Sequence, residues 1–278
     1  MISIPIAVYT ETFRWQLDLF WYNHSKVYGD RARSKTKAVV IRRNLDTQPR
    51  QETLDWNIDI PHLMCESYFD YLGIDGPVRT VDLPLNVQVG LEQITKGMED
   101  ELVIEILDCD MFHIRKFPEY RVRDDELIVA DMYEPWHLCS LGKHRNVIDI
   151  YFENGGRFYN GGFVPIICKV RTLRKILPEW IAVHRDILSR SLDSHLHWWA
   201  GMFALQAACE KAQVRMIAED CCYFPGINAL SPEHYICHYS CDKKFDKRKW
   251  PDIDQVTFED NLFYQRVGEW MDAFMAKH

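Results

Sequence analysis

The sequence predicts an α/β protein with a mainly parallel central sheet, and three observations favour this fold class. Short β-branched runs alternate with helix-like segments through the first half of the chain. Hydrophobic residues occupy 47% of the 278 positions, enough to bury a large core. The strand-like run at 102–107 is apolar at five of its six positions and leads directly into Asp108-Cys109-Asp110.

The chain begins with a pattern that predicts strand, helix and strand. Residues 4–10 and 37–43 are β-branched runs, and the segment between them is long enough for a helix and its loops. Pro61 then opens a segment whose apolar spacing predicts a second helix, which Gly73 ends. This alternation is typical of crossover connections between parallel strands.

The middle of the chain continues the alternation. Apolar residues at helical spacing over 87–94 predict a helix before the strand at 102–107. A further strand is predicted at 126–131, followed by a loop with turn residues at 154–156. A glycine-rich turn at 160–162 then runs into an apolar strand that ends near residue 169.

Residues 170–213 are helical in pattern. We expect Pro178 to break this helix and Asp193 or Ser194 to cap its restart. The segment at 195–212 is apolar almost all round, which predicts an interior helix. With no internal repeat and no obvious linker, the chain is expected to be a single domain with a C-terminal elaboration.

Charge and cysteine content exclude several partner classes. The chain has 33 basic and 41 acidic residues, a net charge of −8, so no global field favours nucleic acid or anionic membranes. No window approaches the roughly 18 apolar residues of a membrane span, and no signal peptide is visible. Nine scattered cysteines fit reduced thiols. We therefore expect a soluble, cytoplasmic protein that binds no nucleic acid.

Asp108 and Asp110 are the strongest candidates for a functional site. In an open α/β sheet, ligands bind outside the carboxyl ends of the strands, and both residues follow such an end. Burying two neighbouring carboxylates without a cation is unfavourable. Their oxygens suit Mn²⁺ or Mg²⁺, and a metal held there can bridge the phosphate oxygens of a nucleotide.

An apolar strand that ends in Asp-x-Asp resembles the metal motif of GT-A-fold nucleotide-sugar glycosyltransferases. Two further segments match that family in order: Asn160-Gly161-Gly162-Phe163 and the stretch from His238 to Lys244. The second resembles a His-x-x-Gly-x-x-Lys pattern, although Cys241 stands in place of the glycine. The resemblance implies a GT-A-like, Rossmann-type domain over 1–278, with a nucleotide-binding half at about 1–115 and an acceptor-binding half at about 116–278.

The resemblance also assigns roles to individual residues. His238 becomes the third metal ligand, and Lys244 contacts the diphosphate. Asp108 can contact the donor ribose as well as the metal, and Asp110 is the firmer ligand. The end of the first strand lies at the nucleotide base, and the donor or acceptor sugar lies near the glycine-rich turn and an aromatic helix. The base-binding residues are Val8, Tyr9 and Thr10, and the sugar-binding residues are Asn160, Gly161, Gly162 and Trp198.

The substrates follow by analogy with metal-dependent members of the family. We expect a UDP-sugar donor, carrying a pentose such as xylose or a hexose, and a hydroxyl of a glycan or glycoprotein as acceptor. The segments at 24–44, 106–111 and 198–209 are distantly similar to plant-type peptidyl hydroxyproline and serine glycosyltransferases, which carry a Golgi anchor. A soluble relative, such as those that large viruses use, is the expected counterpart.

Asp193, before the aromatic helix, is the expected general base of an inverting reaction. The same position also suits an N-cap, which needs no catalytic role. The other candidates for the base are His195, His197, Glu219 and Asp220. Without a base, the enzyme would retain configuration, and the leaving phosphate would take the acceptor proton.

Two other functions compete with the glycosyltransferase interpretation. A zinc-stabilised binding module would use a set of cysteines and histidines, although it lacks paired Cys-x-x-Cys knuckles. Its candidate ligands are Cys221, Cys222, His234, Cys237, His238 and Cys241. A metal-dependent phosphoesterase or nucleotidyltransferase would use the aspartate pair and recruit Asp131 or Asp149 as additional acidic ligands.

Overall fold

A seven-stranded, mostly parallel sheet forms the centre of the protein, and a three-stranded sheet lies beside it. The computed structural model describes residues 1–8, 11–42, 59–66, 82–131, 145–156, 164–190, 197–225, 228–239 and 262–276. The strands are β1 (Ile2–Val8), β2 (Ala38–Arg42), β3 (His62–Glu66), β4 (Val103–Asp108), β5 (Met111–His113), β6 (Glu126–Ala130), β7 (Ile166–Lys169), β8 (Arg215–Glu219), β9 (Cys222–Tyr223) and β10 (Ile236–His238). The helices are α1 (Glu11–Tyr28), α2 (Asp82–Thr95), α3 (Arg145–Glu153), α4 (Val170–Arg190), α5 (His197–Lys211) and α6 (Leu262–Met275).

The strand order of the large sheet is β3-β2-β1-β4-β7-β6-β8, and only β7 runs against the others. The chain moves outward from β1 to β2 and β3, then returns to place β4 on the other side of β1. A reversal of this kind opens a crevice at the carboxyl ends of the two central strands, where ligands of open α/β sheets bind. Asp108, the last residue of β4, and Asp110, two residues later, lie at this crevice.

The structure confirms the mainly parallel α/β sheet and most of the predicted strands and helices. The runs predicted at 37–43 and 126–131 contain β2 and β6, and those predicted at 4–10 and 102–107 overlap β1 and β4. The helix predicted over 87–94 lies within α2. The expected interior helix is α5, whose side chains from Phe203 to Leu205 are at most 1% exposed. Strand β8, helix α6 and the three-stranded sheet as a unit were not predicted.

The predicted helix between Pro61 and Gly73 is wrong where the structure describes it. Residues His62–Glu66 form β3, which pairs in parallel with β2 along its whole length. Cys65 is buried, whereas His62 and Met64 are exposed, as expected for a strand with one covered face. The apolar spacing allowed a helix. As a strand, however, this segment pairs with the N–H and C=O groups along the edge of β2, which need hydrogen-bond partners.

The predicted break at Pro178 is also wrong, because α4 continues through it to Arg190. Proline removes the hydrogen bond to the carbonyl four residues earlier, here that of Arg174. Pro178 is exposed, and water can therefore serve that carbonyl, while Leu177 and Trp180 keep the helix anchored in the core.

The three-stranded sheet has the order β5-β10-β9. β5 follows β4 after a short turn and pairs antiparallel with β10, which pairs in parallel with β9. An aromatic cluster joins this sheet to α1 and α6, with the Tyr239 ring stacked on Phe263 at 4.8 Å and lying 6.2 Å from Trp15. The C-terminal helix therefore supports the segment that contains His238.

A buried polar network links β1, β4, β5 and α1. Glu105 and His113 have fully buried side chains, and Glu105 Oε2 lies 2.7 Å from His113 Nε2. The Ser3 hydroxyl donates to the same carboxylate oxygen at 2.9 Å. His113 Nδ1 lies 3.3 Å from His24 Nδ1, and His24 Nε2 lies 3.3 Å from the carbonyl oxygen of Ala32. Four elements of the fold thus meet at one charged group.

The partners in this network determine where its protons lie. Burial first, and the charge of His113 second, lower the pKa of His24 from 6.5 to about 3, so His24 is neutral near pH 7. Its Nε2 donates to the Ala32 carbonyl, which leaves Nδ1 as an acceptor. His113 therefore donates from both ring nitrogens, to His24 and to the Glu105 carboxylate. From these hydrogen-bond partners we assign His113 as an imidazolium that faces the Glu105 carboxylate.

The lowered pKa of His24 predicts a specific loss of stability in acid. The unfolded chain binds a proton on this histidine near pH 6.5, whereas the folded protein does not until about pH 3. The free energy of unfolding should therefore fall as the pH drops below 6.5, by up to about 1.4 kcal/mol per pH unit from this group. Urea unfolding between pH 7 and pH 4 should show a shallower pH dependence in His24→Gln than in the wild type. Equal slopes would contradict this assignment.

Candidate metal centre

The aspartate turn, which we define as Asp108–Asp110, joins the central sheet to the three-stranded sheet. Asp108 is the last residue of β4 and lies opposite Ile6 of β1 in the ladder. Asp110 is only 5% exposed. Cys109 is buried, and its thiol donates to Gln16 Oε1 at 2.8 Å. Helix α1 therefore holds the middle of the turn from the core side.

His238 reaches the turn from β10. It lies opposite Met111 in the β5–β10 ladder, and the amide of Tyr239 donates to the Asp110 carbonyl at 3.2 Å. His238 Nε2 is 3.4 Å from Asp110 Oδ1. One ligand atom from each of Asp108, Asp110 and His238 lies within 4.8 Å of the other two. In the part of the chain that the structure describes, this is the only cluster of three or more such residues able to hold a metal ion.

The geometry of these three side chains fits a divalent cation. Around an octahedral ion with bonds of about 2.1 Å, neighbouring ligands lie about 3 Å apart and opposite ones about 4.2 Å apart. The 3.4 Å between His238 Nε2 and Asp110 Oδ1 falls in this range, and all three ligand atoms lie within 4.8 Å of one another, so at most small side-chain adjustments would close the site. Two carboxylates and one imidazole form a mixed oxygen and nitrogen set, which suits Mn²⁺ better than the all-oxygen preference of Mg²⁺.

Aromatic side chains hold the histidine side of the site in place. The Phe224 ring lies 5.4 Å from the His238 ring, and Tyr239 is 1% exposed between Phe263 and Trp15. Burial raises the pKa of the Tyr239 phenol well above its ordinary value, and the Asp110 carboxylate adds to this effect. Tyr239 therefore stays neutral and acts as a structural support beside the ligands.

Several predicted site residues lie outside the described residues. Val8 is the last residue of β1, and its side chain is not described. Trp198 lies in α5, and its side chain is not described either. The remaining predicted residues fall in undescribed segments: Tyr9, Thr10, Asn160, Gly161, Gly162, Asp193, Cys241 and Lys244. Their assignments stay predictions.

Two of the alternative bases are engaged elsewhere. Glu219 ends β8 and forms an ion pair with Arg121 at 2.9 Å. Asp220 Oδ1 lies 2.9 Å from His234 Nε2. Neither carboxylate belongs to the Asp108–Asp110–His238 cluster. His195 lies outside the described residues, and only the backbone of His197 is described.

The described residues of the predicted zinc module do not form a ligand group. Cys221, Cys222 and Cys237 are buried, and none of them belongs to the one candidate ligand group found among the described residues. His234 accepts from the amide of Ser231 at 2.9 Å through Nδ1 and contacts Asp220 through Nε2. These side chains therefore act within the fold.

The acids proposed for a phosphoesterase site also lie apart from the cluster. Asp149 is exposed on α3, and Asp131 follows β6, where its amide donates to the Glu219 carbonyl. Neither supplies a ligand atom to the group formed by the aspartate turn and His238.

Sequence reasoning missed the residues that support the ligands. Gln16, Tyr239 and the Glu105–His113 pair all contact the aspartate turn or its flanking strands. The sequence did contain a signal for the Glu105–His113 pair, since Glu105 is the single charged residue in the apolar run at 102–107. A lone carboxylate inside a buried strand indicates a buried partner, and His113 is the nearest histidine along the chain.

Comparisons with known proteins identify no relative from which the role of the site could be inferred, so its interpretation rests on the residues themselves. A scan against protein-family models and a search of curated proteins found no match to this chain. Among the described helices, none is both long enough and apolar enough to cross a membrane.

The cluster predicts a measurable metal affinity. Wild-type protein should bind Mn²⁺ at a single site in isothermal titration calorimetry. Asp110→Asn and His238→Ala should each weaken binding by roughly 100-fold or more, since the first removes the charge of a direct ligand and the second removes a direct ligand, and loss of an outer partner alone costs 10- to 100-fold. Asp59→Asn, which changes an exposed carboxylate away from the cluster, should bind as the wild type does. Equal affinities in all four proteins would exclude this cluster as the site.

Proposed function

We propose that this protein is a metal-dependent glycosyltransferase that moves a sugar from a nucleotide diphosphate donor to an acceptor hydroxyl. The observation that carries the proposal is the cluster of Asp108, Asp110 and His238 at the crevice beside β1 and β4. A divalent cation held there would neutralise the negative charge that develops on the departing diphosphate.

The position of the cluster supports a nucleotide ligand. The carboxyl ends of β1 and β4 are adjacent at the point where the strand order reverses, which is the usual ligand-binding crevice of an open α/β sheet. Asp108 is half-buried and Asp110 is buried, so one carboxylate faces the crevice more openly than the other. This difference agrees with Asp110 as the firmer metal ligand and with Asp108 shared between the metal and the donor ribose.

The chain itself must perform the remaining steps. The bond between the anomeric carbon and the diphosphate oxygen breaks, the acceptor oxygen bonds to that carbon, and the acceptor proton passes to a base. Asp193 is the proposed base of an inverting reaction, Lys244 the proposed contact to the diphosphate, and Trp198 a proposed face for the sugar. We favour a UDP-sugar donor with a pentose or hexose, and a glycan or glycoprotein acceptor.

Donor hydrolysis in the absence of acceptor provides a direct test. The protein is incubated with UDP-xylose, UDP-glucose, UDP-galactose and GDP-mannose, with and without Mn²⁺. We expect Mn²⁺-dependent release of free sugar and nucleoside diphosphate from one donor. The rate should fall by roughly 100-fold or more in Asp110→Asn, because the charge on the leaving diphosphate is then poorly stabilised. Asp149→Asn should match the wild type, since Asp149 is exposed and outside the cluster.

The products distinguish the competing functions. Nucleoside monophosphate and sugar 1-phosphate would indicate cleavage between the phosphates, as in a phosphoesterase or nucleotidyltransferase, and would contradict the proposal. Zinc binding without any response to nucleotides would favour a binding module instead. Once an acceptor is known, proton NMR of the product will give its anomeric configuration, and retention would exclude Asp193 as the base.

A further inference from the structure

Glu105 and His113 flank the aspartate turn at equal distances along the chain. Glu105 lies three residues before Asp108, and His113 lies three residues after Asp110. Their side chains meet at 2.7 Å in the core, so the pair closes the strand–turn–strand segment that contains two of the three ligands. The third ligand, His238, lies in the ladder beside β5, the strand that contains His113.

We propose that the Glu105–His113 pair is a positioning clamp for the metal ligands. It holds the aspartate turn and the β5–β10 ladder in the relative position at which Asp108, Asp110 and His238 can bind one metal ion. Both are positioning residues, because they contact the strands that present the ligands and touch neither substrate nor metal. The inference rests on the proposed metal site and adds to it a group that sets the affinity of that site.

The contacts of the clamp fix its geometry from several sides. Ser3 of β1 donates to Glu105 at 2.9 Å, so the carboxylate is tied to the strand beside β4 as well as to His113. His24 of α1 accepts from His113 Nδ1, which sets the plane and the charge of the imidazolium. The centroid of the His113 ring also lies 5.6 Å from that of Phe20 and 5.6 Å from that of Tyr28, with the Tyr28 ring perpendicular to it. With every side packed, the pair leaves β5 little freedom to move relative to β4.

The energetics favour a geometric role over a purely stabilising one. A fully buried ion pair loses the hydration of both charges, and its net contribution to folding is often near zero compared with well-packed apolar residues. Its directional requirements are strict, because each charge must meet its partners within hydrogen-bond distance. Groups that hydrogen-bond directly to a metal ligand change metal affinity by 10- to 100-fold when they are removed. The Glu105–His113 pair acts one step further away, through the strands that present the ligands, so we expect a change at the lower end of that range.

The test measures Mn²⁺ affinity by isothermal titration calorimetry in Glu105→Gln, His113→Gln and the double variant. Each single variant should raise the Kd for Mn²⁺ by roughly tenfold. The Kd of the double variant should not exceed that of the single variant with the higher Kd, because the two residues act as one unit. Co²⁺ bound to the same site should show an altered visible absorption spectrum in the variants, which reports a changed ligand geometry.

Ile167→Val and Ile167→Ala are matched controls for stability. Ile167 is fully buried on β7 and lies opposite Glu105 in the ladder, so its truncation lowers stability at the same place without breaking the pair. These variants should keep the wild-type Kd and the wild-type Co²⁺ spectrum. Should Glu105→Gln fail to fold, Ser3→Ala replaces it, since it removes one hydrogen bond to Glu105 and no charge.

The outcomes separate the clamp from the function on which it rests. Wild-type protein that binds no Mn²⁺ overturns the metal site and the clamp with it. If the wild type binds Mn²⁺ but the variants of the pair remain within twofold of its Kd, the clamp is wrong and the metal site stands. A Kd that rises equally in Ile167→Ala would show a general effect of stability and would also overturn the clamp.

Discussion

The fully buried pair of Glu105 and His113 is the constraint around which this part of the fold is arranged. A carboxylate and an imidazolium in the core are costly unless they are paired, so the surrounding elements meet His113 and Glu105 Oε2 at hydrogen-bond distance. Glu105 Oε1 has no hydrogen-bond partner among the described residues. Strand β1 supplies Ser3, and α1 supplies His24. The turn after β4 must bring β5 back across the face of the sheet that α1 covers.

Strand β4 serves two different environments because its side chains alternate. Glu105 lies on the face that also carries Ser3 and points towards the network under α1. Asp108 has the opposite parity and lies opposite Ile6 in the ladder, at the end of the strand. The same six residues therefore anchor one layer of the fold and present a ligand at the crevice. Glu105, on one face of the strand, thus has the structural role, and Asp108, on the other face, has the proposed role in metal binding.

The sequence predicted the centre of the fold and the aspartates, because both follow from local patterns. Apolar runs identified β1, β2 and β4, and the strand-end rule placed Asp108 and Asp110 at a crevice. His238 required a resemblance, since nothing local shows that β10 pairs beside the turn. The edge strand β3 was predicted as a helix because one half-exposed edge strand has too few buried positions to show a clear period. Glu105 and His113 were missed because their partnership depends on how the turn folds back.

Helix α1 contacts the ligand-bearing segment at two points, through Gln16 to Cys109 and through His24 to His113. Eight residues of α-helix separate these anchors, a rise of about 12 Å over slightly more than two turns, so both face the same side. An α-helix resists stretching. The spacing of Gln16 and His24 along α1 therefore fixes the distance between the middle of the turn and the end of β5. One residue inserted between the anchors would rotate them apart by about 100° and leave only one engaged. The length of this helix segment is thus as much a part of the site as the side chains that would bind the metal.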